Sequence, residues 1–309
     1  MDVSLQPTLC KAKVYIAPSK SEVANTLSNL IIQSCHTALV QSHRDIFTIA
    51  LSGGSLPSLL SCLPEAFAIA NIDPQWNKWH VILADERCVV SSDADSNLGA
   101  IRSNFTNLVD IPTSQIYGID ETLLLGGNYT ADIAQSYQQN AVQPLLDKPS
   151  TDGMIDCAIL GFGPDGHTCS LFPNHKLLHE ETKLVASIDD SPKPPPSRIT
   201  LTLPFLNTYV RQVIFCGVGE SKRPILKAIF KTSSGSAADD DDNAGGRSVK
   251  NHQEILQLKD GARVTSVELC NPAPYPCGMV RPLTRNAGGE YDNNSLVWVV
   301  DEDAANGCM

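Results

Sequence analysis

Ile46-Phe47-Thr48-Ile49-Ala50-Leu51-Ser52-Gly53-Gly54-Ser55-Leu56-Pro57 is the stretch on which the fold turns. A short apolar, β-branched run at 46–51 reads as a strand. It stops at two glycines, and the pattern over 56–69 then reads as a helix, with Pro57 tolerated in its first turn. Working outward, the same alternation recurs. Strand-like runs fall at 13–17, 79–84, 156–160, 212–216 and 296–300. Amphipathic stretches fall at 21–40, 97–108, 129–146 and from Lys222 to Phe230, the first carrying Val23, Leu27, Leu30, Ile31 and Leu39 near helical spacing. Strand and helix alternation predicts an α/β fold around a mainly parallel β-sheet flanked by helices. Two segments break the pattern. Residues 233–248, with Ala, Gly and Ser and the run Asp239 to Asp242, have no face to bury and are expected to be a disordered acidic insertion. Residues 271–294, rich in Pro, Gly and Asn, are expected to be irregular. No internal repeat is visible, and a single domain over 1–309 is expected.

The chain's 309 residues suffice to bury a large core, and 42% hydrophobic with 18% charged residues excludes bulk disorder. A formal charge of -11 opposes a general role on nucleic acid or an anionic membrane, so an anionic ligand must be held by a few placed cations. No run of about 18 apolar residues occurs, and the first residues lack the basic-then-apolar order of a secretion signal, so a cytoplasmic protein is expected. The ten cysteines are scattered singly and are expected to be reduced thiols. The sequons at Asn104, Asn128 and Asn293 match by chance on that reading.

Glycines between a strand and a helix, as at Ser52-Gly53-Gly54-Ser55, let backbone N–H groups converge on an anion with the helix dipole behind them. No Walker lysine follows, and a plain βα turn is the competing reading. Gly161-Phe162-Gly163-Pro164-Asp165-Gly166 formally satisfies the dinucleotide fingerprint after a strand. The helix that fingerprint needs is absent, because Pro173 follows within seven residues, so the loop is read instead as presenting His167, flanked by Asp165. A histidine at the C-terminal edge of a strand is placed for general-base work. Asp85, Glu86 and Arg87 also end a strand and are candidates for the same crevice, against the reading of an ordinary solvated turn. Arg198 and Lys222 are candidate anion contacts. His175 and His179 with Glu180 and Glu181 imitate metal spacing without the H-E-x-x-H order and are read as surface. Cys157 and Cys169 flank the His167 loop and are read as buried cysteines. Gly53-Gly54-Ser55-Leu56-Pro57 lacks the final glycine of a nucleophile elbow.

Taken in order, Leu51 to Ser55, Asp85-Glu86-Arg87 with Ser96-Asn97, Gly161 to Pro173, Ser191-Pro192-Lys193-Pro194-Pro195-Pro196-Ser197-Arg198 with Ile199 to Thr202, and Gly219 to Lys222 resemble the 6-phosphogluconolactonases of the glucosamine-6-phosphate isomerase and 6-phosphogluconolactonase superfamily. The resemblance runs from about Lys13 to Phe230 and resumes near the last strand. It implies a Rossmann-like sheet with additional smaller α/β elements, no metal and no cofactor. The implied reaction is hydrolysis of 6-phospho-D-glucono-1,5-lactone to 6-phospho-D-gluconate in the oxidative pentose phosphate pathway. On the family pattern His167 activates the hydrolytic water, and Ser52, Gly53, Gly54 and Ser55 with Arg198 and Lys222 hold the 6-phosphate. Asp165, Asp85 and Arg87 complete the catalytic set, with Arg87 or loop amides as oxyanion donors. The expected partner is a small sugar-phosphate lactone, with neither nucleic acid nor membrane, and the chain is expected to act as a monomer. Two alternatives stay open. One is an amino-sugar-phosphate isomerase or deaminase, which carries a glutamate soon after the histidine, where this chain has Thr168 to Pro173 with no carboxylate. The other is a non-catalytic phosphosugar-binding protein.

Overall fold

The computed structural model describes residues 10–125, 129–231, 256–257, 261–283 and 295–308. The acidic stretch 233–248 and the part of the irregular stretch beyond residue 283 lie outside them. In chain order the elements are β1 (Lys11–Ala17), α1 (Lys20–His36), β2 (Phe47–Leu51), α2 (Leu56–Leu59), α3 (Leu63–Ala70), β3 (Trp79–Leu83), β4 (Asp85–Arg87), α4 (Asn97–Asn104), α5 (Tyr129–Tyr137), α6 (Gln143–Leu146) and β5 (Ile155–Gly161). There follow β6 (Val185–Ile188), β7 (Arg198–Leu201), α7 (Leu203–Thr208), β8 (Val210–Gly217), α8 (Arg223–Ile229), β9 (Leu256–Gln257), β10 (Arg263–Glu268), α9 (Pro276–Met279), β11 (Leu296–Asp301) and α10 (Glu302–Ala305).

The main sheet has the order β3-β2-β5-β8-β11-β1-β10-β9. Strands β3 to β1 in that order run parallel, while β10 and β9 are antiparallel to their neighbours. Continuous apolar runs suit strands covered on both faces, and β2, β3 and β11 are buried at every residue. Helix α1 starts because the Ser19 hydroxyl accepts the Glu22 amide, and it turns Val23, Leu27, Leu30 and Ile31 inward. The α/β architecture read from the alternation is the one observed.

Four expected helices are shorter as α helix than their apolar spacing implies. The 21–40 stretch is α only to His36 and continues as a π segment, Thr37–Gln41. The 56–69 pattern splits into α2 and α3 because Pro64, like Pro57, has no amide to give a preceding turn and therefore opens a new helix. The 97–108 stretch ends as α helix at Asn104, and Thr106–Leu108 tightens to a 3₁₀ turn. The 129–146 stretch passes through a π segment, Gln138–Val142, before α6.

A second sheet, β4-β7-β6, is wholly antiparallel and was not visible in the sequence pattern. Asp85-Glu86-Arg87, expected to end the preceding strand, instead form a strand of the second sheet, paired residue for residue with Thr200, Ile199 and Arg198. The irregular stretch also contains a short ordered piece, α9, whose Cys277 amide donates to the Gly166 carbonyl.

Candidate active site

A cleft of about 230 Å³ opens at the C-terminal ends of β2, β5 and β8, with β4 forming one side. Ligands in open α/β sheets gather at this edge. Each parallel strand contributes the loop that follows it.

After β2 comes Ser52-Gly53-Gly54-Ser55. Gly54 has φ +67°, a left-handed value that glycine adopts without strain. A Cβ on Gly53 would lie 1.7 Å from Asn97 Oδ1, so the glycine lets the loop close against Asn97. Asn97 Nδ2 in turn donates to the Asp85 carbonyl at 2.8 Å. Among the described residues no acceptor takes the amides of Gly53, Gly54 and Ser55. Since α2 is a single turn of four residues, these amides supply most of the loop's attraction for an anion and the helix dipole adds little.

After β5 the chain makes a tight loop in which Gly163 N donates to His167 O at 2.8 Å and Gly166 N to Gly163 O at 3.0 Å. Two glycines of the dinucleotide-like string, Gly163 and Gly166, make room for side chains. A Cβ on Gly163 would sit 2.1 Å from His167 Nδ1 and 2.3 Å from Asp165 Oδ1, and one on Gly166 would meet Tyr275 at 2.5 Å. Asp165 Oδ1 lies 2.5 Å from His167 Nδ1. Hydrogen bonds from His167 and Lys193, and their charges, outweigh partial burial and hold the Asp165 carboxyl at about 2. An ionised carboxylate only accepts, so Nδ1 carries the proton and Nε2 keeps its lone pair. Burial pushes His167 below its ordinary value, with Asp165 opposing, which favours the neutral ring. The imidazole stacks on Phe172 at 4.9 Å. His167 lines the cleft and Asp165 stands behind it.

The cations differ in how free they are. Arg198 is 4% exposed and donates Nε to the Pro195 carbonyl and Nη2 to the Lys193 and Pro194 carbonyls, each at 2.8 to 2.9 Å. Only Nη1, 3.4 Å from Ser170 Oγ, turns elsewhere. Lys222 reaches the Phe162 carbonyl and lies 5.2 Å above the Phe162 ring. Arg87 donates Nη1 to Asp95 O at 2.6 Å. Its Nε is buried with no partner among the described residues.

Asp85 accepts from Ser170 Oγ at 2.8 Å and from Asn97 Nδ2 at 3.3 Å, tying β4, α4 and the His167 loop together. Glu86 faces away from the cleft: its carboxylate accepts the amides of Arg87, Asn97 and Leu98 and the Ser96 hydroxyl, capping α4. Burial raises its pKa despite those bonds. The reading of the 85–87 charges as a solvated turn therefore fails: the carboxylates of Asp85 and Glu86 are buried on specific donors, and Arg87 lines the cleft with one nitrogen on the Asp95 carbonyl.

Ser52, Gly53, Gly54, Ser55, Asp85, Arg87, His167, Arg198 and Lys222 all line the one cleft. Asn97 joins them without having been assigned a role from sequence, since nothing in its local pattern says that Asp85 will hold it. Lys193 and Tyr275 were missed for the same reason, contacting the His167 loop from 26 and more residues away. His175 is placed otherwise, its Nδ1 accepting the Leu177 amide and its Nε2 3.0 Å from Asp190. Among the described residues no helix is long and apolar enough to cross a membrane.

A family model described as glucosamine-6-phosphate isomerases/6-phosphogluconolactonase matches residues 18–253. The 6-phosphogluconolactonase of Rattus norvegicus is 41% identical over 219 residues, 71% of this chain and 81% of its own. That of Homo sapiens is 39% identical over 222 residues, with the same shares. Among solved structures, a 6-phosphogluconolactonase from Trypanosoma brucei aligns with a TM-score of 0.68 at 19% identity, over 97% of this chain and 100% of its own. One from Thermotoga maritima gives 0.62 at 22%, over 93% and 98%. A monomeric glucosamine-6-phosphate deaminase gives 0.58 at 14%, over 94% and 98%, so the structural likenesses speak to the fold.

Proposed function

The chain belongs to the glucosamine-6-phosphate isomerase/6-phosphogluconolactonase family, and from that premise we propose that it hydrolyses 6-phospho-D-glucono-1,5-lactone to 6-phospho-D-gluconate, the lactone-opening step of the oxidative pentose phosphate pathway. The observation that carries the reading is the Asp165–His167 pair, whose proton-free Nε2 belongs to a cleft that also holds free loop amides and cations. A water placed against Nε2 loses a proton to it while attacking the lactone carbonyl. The imidazolium, stabilised by Asp165, then returns that proton to the departing ring oxygen. One ring serves both steps. The loop amides of Gly53, Gly54 and Ser55 and the Lys222 ammonium bind the 6-phosphate, with Ser52 lining the cleft at the start of the loop, its amide on the Ile159 carbonyl. Arg198 contributes its one open edge, Nη1, and otherwise holds the 193–195 backbone. Arg87, which lines the cleft beside Asp85, is the side-chain donor for the tetrahedral oxyanion.

The amino-sugar-phosphate reading calls for a carboxylate shortly after the histidine, and residues 168–173 supply none. A purely binding role would leave no use for a tautomer fixed by an ionised aspartate. The test generates the lactone with glucose-6-phosphate dehydrogenase and compares its loss with the spontaneous rate. Catalysed loss of the phosphorylated lactone supports the reading, and a rate equal to the spontaneous one overturns it.

A further inference from the structure

The reading of His167 as base leaves one contact of the pair unused. Lys193, on the loop before β7, places Nζ 3.1 Å from Asp165 Oδ2, 3.2 Å from Asp165 Oδ1 and 3.1 Å from His167 Nδ1. It does not line the cleft, and it reaches the pair at the Asp165 carboxylate and at Nδ1 of the ring. Its placement is built rather than incidental. The Lys193 carbonyl accepts from Arg198 Nη2 at 2.9 Å and from Ser191 Oγ at 2.9 Å, while its amide donates to Ser191 Oγ at 3.3 Å. The buried Arg198 thus fixes the backbone from which the ammonium reaches the pair.

An ammonium and a protonated Nδ1 cannot donate to each other, so both hydrogen bonds must converge on the Asp165 carboxylate. We propose that Lys193 is a positioning residue for lactone hydrolysis: its ammonium shares Asp165 with His167, pins the proton on Nδ1, and cancels the carboxylate charge that would otherwise draw a second proton onto Nε2. This rests on the reading of His167 as the base. The consequence follows from charge alone. Asp165 by itself favours imidazolium, which cannot take a proton from water, and a cation beside it opposes that. Other groups facing the ring leave this balance in place. Asp85, from β4, favours the imidazolium. Arg198, from β7, stands over Phe172 at 5.8 Å. Lys222, before α8, lines the cleft and feels the opposing charges of Lys193 and Asp165. The thiol of Cys277, from α9, is pushed up to about 12 and stays neutral.

The test compares parent, Lys193→Gln and Lys193→Arg by kcat/KM at pH 6 and pH 8, with spontaneous hydrolysis subtracted, and by proton NMR titration of the His167 ring in the free enzyme. In Lys193→Gln the ratio of kcat/KM at pH 6 to that at pH 8 should fall about fivefold, since moving the acid limb by one pH unit is worth tenfold at most. His167 should titrate at higher pH than in the parent, and Lys193→Arg should restore both. Equal losses at the two pH values with an unmoved titration would reduce Lys193 to a structural part and overturn the proposal. So would a rise in KM alone, which would make it a substrate contact. The NMR arm needs no turnover. A chain without lactonase activity would overturn the functional reading, while an unmoved His167 titration would overturn this one.

Discussion

Replacing Gly163 by alanine separates the catalytic geometry from the fold. The added carbon would lie 2.1 Å from His167 Nδ1, 2.2 Å from Cε1 and 2.3 Å from Asp165 Oδ1, whereas ordinary contact begins at 3.4 Å. Relief requires the imidazole or the carboxylate to move by about 1 Å or more, and misplacement of that size costs roughly 10²-fold in rate. The backbone itself can accept the change, because Gly163 is not among the residues with positive φ. The moving atoms are side-chain tips partly open to solvent, so the stability loss should stay near 1–2 kcal/mol, a fall of roughly 2–8 °C in Tm. The assay is kcat/KM for the phosphorylated lactone alongside a thermal melt. Gly161→Ala serves as the stability control, since its Cβ would meet nothing within 4 Å. A folded Gly163→Ala enzyme with kcat/KM within threefold of the parent would refute the claim that this glycine makes room for the Asp165–His167 pair.

Two further outcomes follow from the same geometry. Lys222→Ala should raise KM for the phosphorylated lactone by roughly tenfold or more, as expected for one hydrogen bond to a charged group, and leave unphosphorylated gluconolactone nearly indifferent. Equal losses on both lactones would move Lys222 to the reacting centre. The pH profile of kcat/KM should hold its plateau to below the ordinary histidine value of 6.5, because burial disfavours the imidazolium, and then fall as the ring protonates. Asp165, held at about 2, contributes no limb of its own above that, and an acid limb at or above pH 7 would contradict the assignment.

The parallel sheet was legible because β2, β3, β5, β8 and β11 are apolar runs between punctuating glycines and polar turns. The second sheet was not. β4 is three charged residues, and β6 and β7 are four residues each beside a proline run, too short for a period of two to declare itself. Asp85 and Glu86 are buried only because partners from α4 and the His167 loop arrive from elsewhere in the chain, which composition does not foretell. The candidate site was legible as five separate motifs, and the fold adds their meeting. What no local pattern could supply is the support behind it: Asn97 closing on Gly53, Tyr275 seated under Gly166, and Arg198 spending most of its donors on the loop that carries Lys193. Arg198 drew attention as an anion contact, and its hydrogen bonds show that it also holds the backbone of the loop that carries Lys193.

The central claim is that His167 Nε2 takes the proton from the hydrolytic water. It is tested most directly by His167→Asn in the coupled lactonase assay, read against the spontaneous rate and against binding of 6-phosphogluconate. The account predicts a loss of about 10²- to 10⁴-fold in kcat with 6-phosphogluconate affinity kept within about threefold, since the phosphate is held by other residues. A folded His167→Asn enzyme with near-parent kcat would contradict it.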